Sequence, residues 1–202
     1  MRMLLMGPPG SGKGTQAARL AAALGVPAIS TGDIFRANIA AGTALGREVK
    51  HYTNAGGCVP DEVTNKMVRA RLQDRDSAQG WLLDGYPRTL AQLRALDEMA
   101  VSTGHTLEAV VALEVDEEEL IRRLAQRALD EERADDSEEV IRHRQMLYRE
   151  ETAPLLAEYA GRSLLITVDG AGAEDDVTRR ISDTLSRLIA AQASGRQAHR
   201  RG

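Results

Sequence analysis

Cys58 is the only cysteine among 202 residues, which excludes a disulfide framework and a four-cysteine zinc site. Aromatic side chains make up 3% of the sequence. No stretch of the main body interleaves them with lysine and arginine, so no nucleic-acid groove is expected. Basic and acidic residues number 26 and 30, a net charge of −4, so the cations must act locally rather than as one broad field. No apolar run approaches the roughly 18 residues that a membrane span requires. Met1 to Met6 is too short for a secretion-signal core and runs straight into Gly7-Pro8-Pro9. His51, His105, His143 and His199 are scattered without ligand spacing, and neither an internal repeat nor an Asn-Lys-x-Asp guanine-reading motif occurs. The expectation is a soluble protein of a reducing, cytoplasmic compartment, with neither nucleic acid nor membrane among its partners.

Hydrophobic residues supply 43% of the chain, and a chain of this length removes about 70% of its unfolded surface from water, so one domain over 1–202 is expected. Met3 to Met6, Ala28-Ile29, Trp81 to Leu83, Ala109 to Val115 and Leu164 to Val168 read as buried strands separated by helix-length sequence. That alternation predicts an α/β protein with a five-stranded parallel sheet and helices on both faces. Polar signals fall where these strands end, at the edge where open sheets bind ligands. From Asp33 to Gln79 the pattern is helical, broken by Gly42, Gly56-Gly57 and Pro60, and reads as a small mobile helical insert. Residues 128–136 are charged and irregular and read as a flap, whereas 192–202 lack an apolar period and read as a frayed tail.

Directly after the first strand comes Gly7-Pro8-Pro9-Gly10-Ser11-Gly12-Lys13-Gly14-Thr15. Glycines there let successive N–H groups turn toward an anion, the next helix aims its positive end at the same point, and Lys13 adds a charge for outer phosphates. This is a phosphate-binding loop of the P-loop NTPase type. Gly14 stands where a Ser or Thr usually reaches magnesium, the hydroxyl arriving one residue later at Thr15. Asp84 closes the third strand and suits magnesium held through water, with a turn or helix-cap aspartate as the alternative. Arg88 can offer a two-pronged fork to a phosphate, or else form a surface ion pair. Arg123 and Arg127 share one helical stripe, offset from Leu120, Ile121 and Leu124. With Arg133 and Arg144 they could form a cluster, although charged helix faces are often simply solvated. Cys58 reads as a packed small hydrophobe rather than a reactive thiol.

Taken jointly, Gly7 to Thr15 with Gln16, Ser30-Thr31-Gly32-Asp33 with Arg36, Asp84 to Thr89 with Gln92, Arg123, Arg127, Arg133-Ala134-Asp135-Asp136 and Arg144 resemble the adenylate kinases from end to end, the tail excepted. The resemblance implies reversible phosphoryl transfer from ATP to AMP giving two ADP, magnesium accompanying ATP, and a monomer. It implies an NMP-binding insert at 30–59 and a short lid at 126–136 that lacks the cysteines binding zinc in some relatives. Gly10, Ser11, Gly12, Lys13, Gly14 and Thr15 would hold ATP, with Arg123, Arg127 and backbone near Gly172. Arg36, Arg88, Arg133 and Arg144 would grip the AMP phosphate. Thr31, Gly85 and Gln92 would meet its base, with Tyr86, Pro87 and backbone around Gly57, Cys58 and Val59 beside it. Lys13, Asp84, Arg88, Arg123, Arg133 and Arg144 would carry the chemistry. Thr31 and Thr89 favour AMP over the nearest rival acceptors, UMP and CMP; a sensor that binds adenylates without chemistry is the reading from another class.

Overall fold

A computed structural model describes residues 1–104, 106–131 and 138–199, with the side chains of 103, 128–131, 138 and 189–199 outside the description. Five strands form one sheet: β1 (Arg2–Met6), β2 (Ala28–Ser30), β3 (Trp81–Asp84), β4 (Ala109–Glu114) and β5 (Leu165–Asp169). Their order is β2-β3-β1-β4-β5, and every neighbouring pair is parallel. Each expected strand is present, within two residues of its expected ends.

Side chains alternate along the strands, and the alternation divides the interior in two. Met3 and Leu5 of β1, Leu82 of β3 and Ala109, Val111 and Leu113 of β4 meet α1 (Lys13–Leu24) and α9 (Glu174–His199), through Ala17, Leu20, Val177 and Ile181. Leu4, Met6, Trp81, Leu83, Val110 and Ala112 turn to the other face. There they meet α4 (Asp61–Leu72), α5 (Leu90–Thr103) and α8 (Pro154–Gly161), through Val68, Leu93, Leu96, Leu155 and Tyr159. Strands buried on both faces need unbroken apolar sequence, which is why β3 and β4 carry no polar residue until their last position.

Between β2 and β3, α2 (Thr31–Ala40) and α3 (Ala44–Asn54) precede α4. They have a small core of their own, Phe35, Val49 and Val59, with Ile39, Leu45 and Tyr52 packed against it. Ser30 caps α2 by accepting from the Asp33 N–H at 3.3 Å, and Thr43 caps α3 from Gly46 at 3.0 Å. After β4, α6 (Glu117–Glu131) continues to Glu131, so residues 126–131 of the expected lid are helical. The next helix is α7 (Glu138–Leu147), followed by a π-helical turn at Tyr148–Thr152. Residues 132–136 of the expected lid lie outside the described residues, as do 200–202 of the tail; α9 runs on to His199.

β1 leads through α1 to one side of the sheet, and β4 leads to the other. Their divergence opens a crevice at the strands' C-terminal ends, where Gly7, Asp84 and Gly170 all stand. Leu83 lies wholly inside the interior beneath this edge. Leu83→Ala should destabilise the protein by about 2–5 kcal/mol, measured by urea denaturation, because the sheet cannot collapse into the space.

Candidate active site

Gly12 caps α1 with φ 86°, so the helix starts from a left-handed residue with its first N–H groups turned to the crevice. The loop before it lies tight against the protein. A Cβ on Gly10 (φ +85°) would come within 2.9 Å of both the Leu120 carbonyl oxygen and Leu124 Cγ on α6, so glycine is the residue that fits. Gln145 Nε2 on α7 donates to the Pro9 carbonyl at 2.9 Å, tying the loop from the other side.

The Lys13 ammonium curls back into this loop and donates to the Gly7 carbonyl at 2.7 Å and the Pro8 carbonyl at 2.8 Å. Its pKa is lowered to about 8, first by the burial of the charge; Asp84 opposes this, and Arg88, Arg144 and Arg127 add repulsion. Asp84 ends β3 in register with Ser30 and Leu5. Its Oδ1 is buried with no hydrogen-bond partner among the described residues. Burial raises the carboxyl pKa, against the pull of Lys13 and Arg88. A buried, unpartnered carboxylate oxygen beside a phosphate loop is an acceptor suited to the water shell of magnesium.

Around these groups lies a cleft of about 700 Å³. Gly10, Ser11, Gly12, Lys13, Gly14 and Thr15 line it on one side, and Asp84, Gly85, Tyr86, Pro87 and Arg88 on another. Arg36 on α2, Arg123 and Arg127 on α6 and Arg144 on α7 reach it from three helices, and Cys58 and Gly172 stand at its wall. Thus most residues that the sequence marked converge on one cavity. Thr31, Gly57, Val59 and Gln92 do not line it: Thr31 donates to the Gly85 carbonyl at 3.0 Å, and Gln92 is only 2% exposed behind Arg88. Arg133 lies outside the described residues.

At the cleft, Arg36, Arg88 and Arg123 are braced. Arg88 Nε donates to the Gly85 carbonyl at 2.9 Å, and Arg36 pairs with Asp33 on its own helix. Arg123 Nε donates to Glu119 Oε1 at 2.7 Å and its Nη1 to the Gly170 carbonyl at 3.2 Å. Arg122 takes the same carboxylate in a two-pronged contact, 2.8 Å on each side. Hydrogen bonds from Arg122 and then Arg123 push the Glu119 pKa down to about 2. Sequence reading missed Glu119 and Arg122 as cleft residues, although their i+3 and i+4 spacing was a usable signal. It also missed Tyr148 and Thr152 on the cleft wall and Gln145 behind the phosphate loop, none of which offers a local signal.

A family model described as adenylate kinase matches residues 5–164. The chain belongs to the adenylate kinase family. It is 58% identical to an adenylate kinase of Nocardioides sp. over 92% of this chain and 97% of that one. Identity is 55% to that of Kocuria rhizophila, over 92% and 99%, and 54% to that of Thermobifida fusca, over 92% and 98%. The five-stranded parallel sheet with the phosphate loop after β1 agrees with this family's fold. Among the described residues, no three His, Cys, Asp or Glu side chains converge as a metal site, and no helix is long and apolar enough to cross a membrane.

The lowered Lys13 pKa fixes a pH signature. The folded protein binds the Lys13 proton less tightly than the unfolded chain does. This group therefore works against stability below about pH 8, and its penalty fades as pH rises from about 8 toward 10.5. If the Lys13 ammonium holds the ATP phosphates, as proposed below, kcat/KM for ATP falls as that charge is lost, and the sign is opposite. A kcat/KM profile should therefore bend downward near pH 8, and a profile flat to about pH 9.5 would contradict the assignment.

Proposed function

We infer that this chain catalyses reversible phosphoryl transfer from ATP to AMP, giving two ADP. One observation carries the reading: Lys13, Arg36, Arg88, Arg123, Arg127 and Arg144 stand around a single cleft with Asp84 at its floor. Two polyanions can be brought together only where such charge is gathered.

In this reading the loop 10–15 and Lys13 hold the ATP phosphates, Arg123 and Arg127 the transferring group, and Arg36, Arg88, Arg133 and Arg144 the AMP phosphate. Gly172 lies at the ATP base, Cys58 and Gly85 adjoin AMP, and Thr31, Gly57, Val59 and Gln92 back that part of the cleft. The attacking oxygen belongs to a phosphate monoester whose second pKa lies near 6, so it is ionised at neutral pH and needs no protein base. The barrier is mutual repulsion, lowered as the cations spread over the charge of a loose transition state. The family generally uses magnesium with ATP; Asp84 and Thr15 would hold it through water, and the ion would neutralise phosphate charge. Segments 30–59 and 126–136 serve as insert and lid, and their closure excludes water that would otherwise accept the phosphoryl group.

A cytoplasmic monomer is the assembly we favour. The exposed large hydrophobics among the described residues are Leu90, Val101, Ile121 and Met146, spread over three helices, which is too thin for an obligate interface.

Arg88→Lys keeps the charge but loses the fork, so kcat should fall by about 100-fold or more with the thermal midpoint unchanged. Wild-type turnover would remove Arg88 from the site. In a coupled assay AMP should outrun CMP, UMP and GMP as acceptor, and ATP binding without ADP formation would instead mark a sensor. Asp84→Asn should raise the magnesium concentration for half-maximal rate by about tenfold, read from a magnesium titration at fixed ATP.

A further inference from the structure

Behind the cleft wall, three polar side chains that do not line it close a ring of hydrogen bonds. Asp61 is the first residue of α4, immediately after the insert. Its Oδ2 accepts from the Thr89 hydroxyl at 2.7 Å, and its Oδ1 accepts from Gln92 Nε2 at 2.6 Å. Gln92 Oε1 in turn accepts the backbone N–H of Arg88 at 2.7 Å. Thr89 Oγ1 accepts the Gln92 N–H at 3.1 Å as the cap of α5. One turn along α4, Asn65 Oδ1 accepts from the Tyr86 hydroxyl at 2.7 Å. The start of α4 therefore holds the segment 86–92 at both ends.

This ring has a polarity. An amide donates at one end and accepts at the other, and the Arg88 N–H requires the accepting end of Gln92. A carboxylate only accepts, so Asp61 requires the donating end at the opposite side. Turning the Gln92 amide over would face donor to donor and acceptor to acceptor. Among the described residues no cation pairs with Asp61 within ion-pair distance. The charge is spent on a hydroxyl and an amide. Gln92 is nearly inaccessible to water, which makes each of these bonds hard to replace.

We propose that Asp61 is a positioning residue for AMP: by fixing which way Gln92 faces, it clamps the Arg88 backbone and so sets where the Arg88 guanidinium stands in the cleft. The proposal rests on the reading of Arg88 as a ligand of the AMP phosphate. Asp61 itself touches no substrate.

The test is steady-state kinetics on the full chain, with folding checked by thermal unfolding. Asp61→Ala should raise KM for AMP about tenfold and leave KM for ATP within about twofold, the loss expected for a hydrogen bond to a charged group. Asp61→Asn can still offer its oxygen to Gln92 and its NH2 to Thr89 Oγ1, so it should recover most of that affinity. Gln92→Glu sets two carboxylates against each other and should raise KM for AMP; adding Asp61→Asn restores a donor–acceptor pair and should lower it again. This exchange decides the matter even where Asp61→Ala does not fold. An unchanged KM for AMP in Asp61→Ala overturns the proposal. So do equal rises for both nucleotides, a loss in Asp61→Asn as deep as in Asp61→Ala, or a double variant no better than Gln92→Glu. Arg88→Lys with wild-type kinetics sinks the reading beneath the proposal. A damaged Arg88→Lys beside an unaffected Asp61→Ala sinks this inference alone.

Discussion

Positive charges crowded around one cavity repel each other, and much of this structure consists of arrangements that keep them there. Lys13 is held by two backbone carbonyls of its own loop and is destabilised as an ammonium by burial and by three arginines. Only Asp84 pulls the other way, and burial works against Asp84 too. Glu119 keeps Arg122 and Arg123 apart from direct conflict by accepting from both, and Asp33 does the same for Arg36. The polar braces thus hold fork geometry ready, so little side-chain freedom is left to lose when an anion arrives.

The parts of the fold readable from sequence are those set by local pattern. β1 and the phosphate loop are legible because four apolar residues, three glycines and a lysine leave one backbone solution. β3 and β4 are legible because burial on both faces demands continuous apolar sequence. Their order in the sheet, with β3 and β4 flanking β1, is not encoded in any single segment. Polar pairing was the least legible. Asp61 meets Gln92 across 31 positions of sequence, and Gln145 meets Pro9 across 136. Such contacts depend on how packed elements come to rest, and no periodicity reports them. The extent of α6 was open to a better reading: Gln126 to Glu131 contains neither glycine nor proline, so nothing stops the helix there. The charged run from Ala128 read as irregular, yet α6 continues to Glu131.

Which parts can move follows from where the polar stitching stops. Asp61 and Asn65 fasten the start of α4 to the segment that carries Tyr86 and Arg88, and α4 also packs into the interior through Val68. A swing of the proposed insert must therefore hinge before residue 61, at Pro60 or earlier, and at its other end near Ser30. Between those points Phe35, Val49 and Val59 give α2 and α3 a small core of their own, joined to the sheet's interior through Ile34 and Met67. The segment can keep its internal packing while changing its angle to the rest.

One contact limits that motion. A Cβ built on Gly56, at the end of α3 (φ +70°), would lie 2.6 Å from Val140 Cγ1 and 3.1 Å from Arg144 Cγ on α7. The tip of the insert therefore rests against the helix that brings Arg144 to the cleft. Any larger side chain at 56 would have to push α7 aside or hold α3 back, so the closeness of these two helices depends on glycine at that point. Since α7 also carries Gln145, whose amide holds the phosphate loop, displacement of α7 would reach Pro9 as well as Arg144. Insert, arginine and phosphate loop are thereby joined through one helix. A change in how α3 meets α7 therefore bears on the phosphate loop as well as on Arg144.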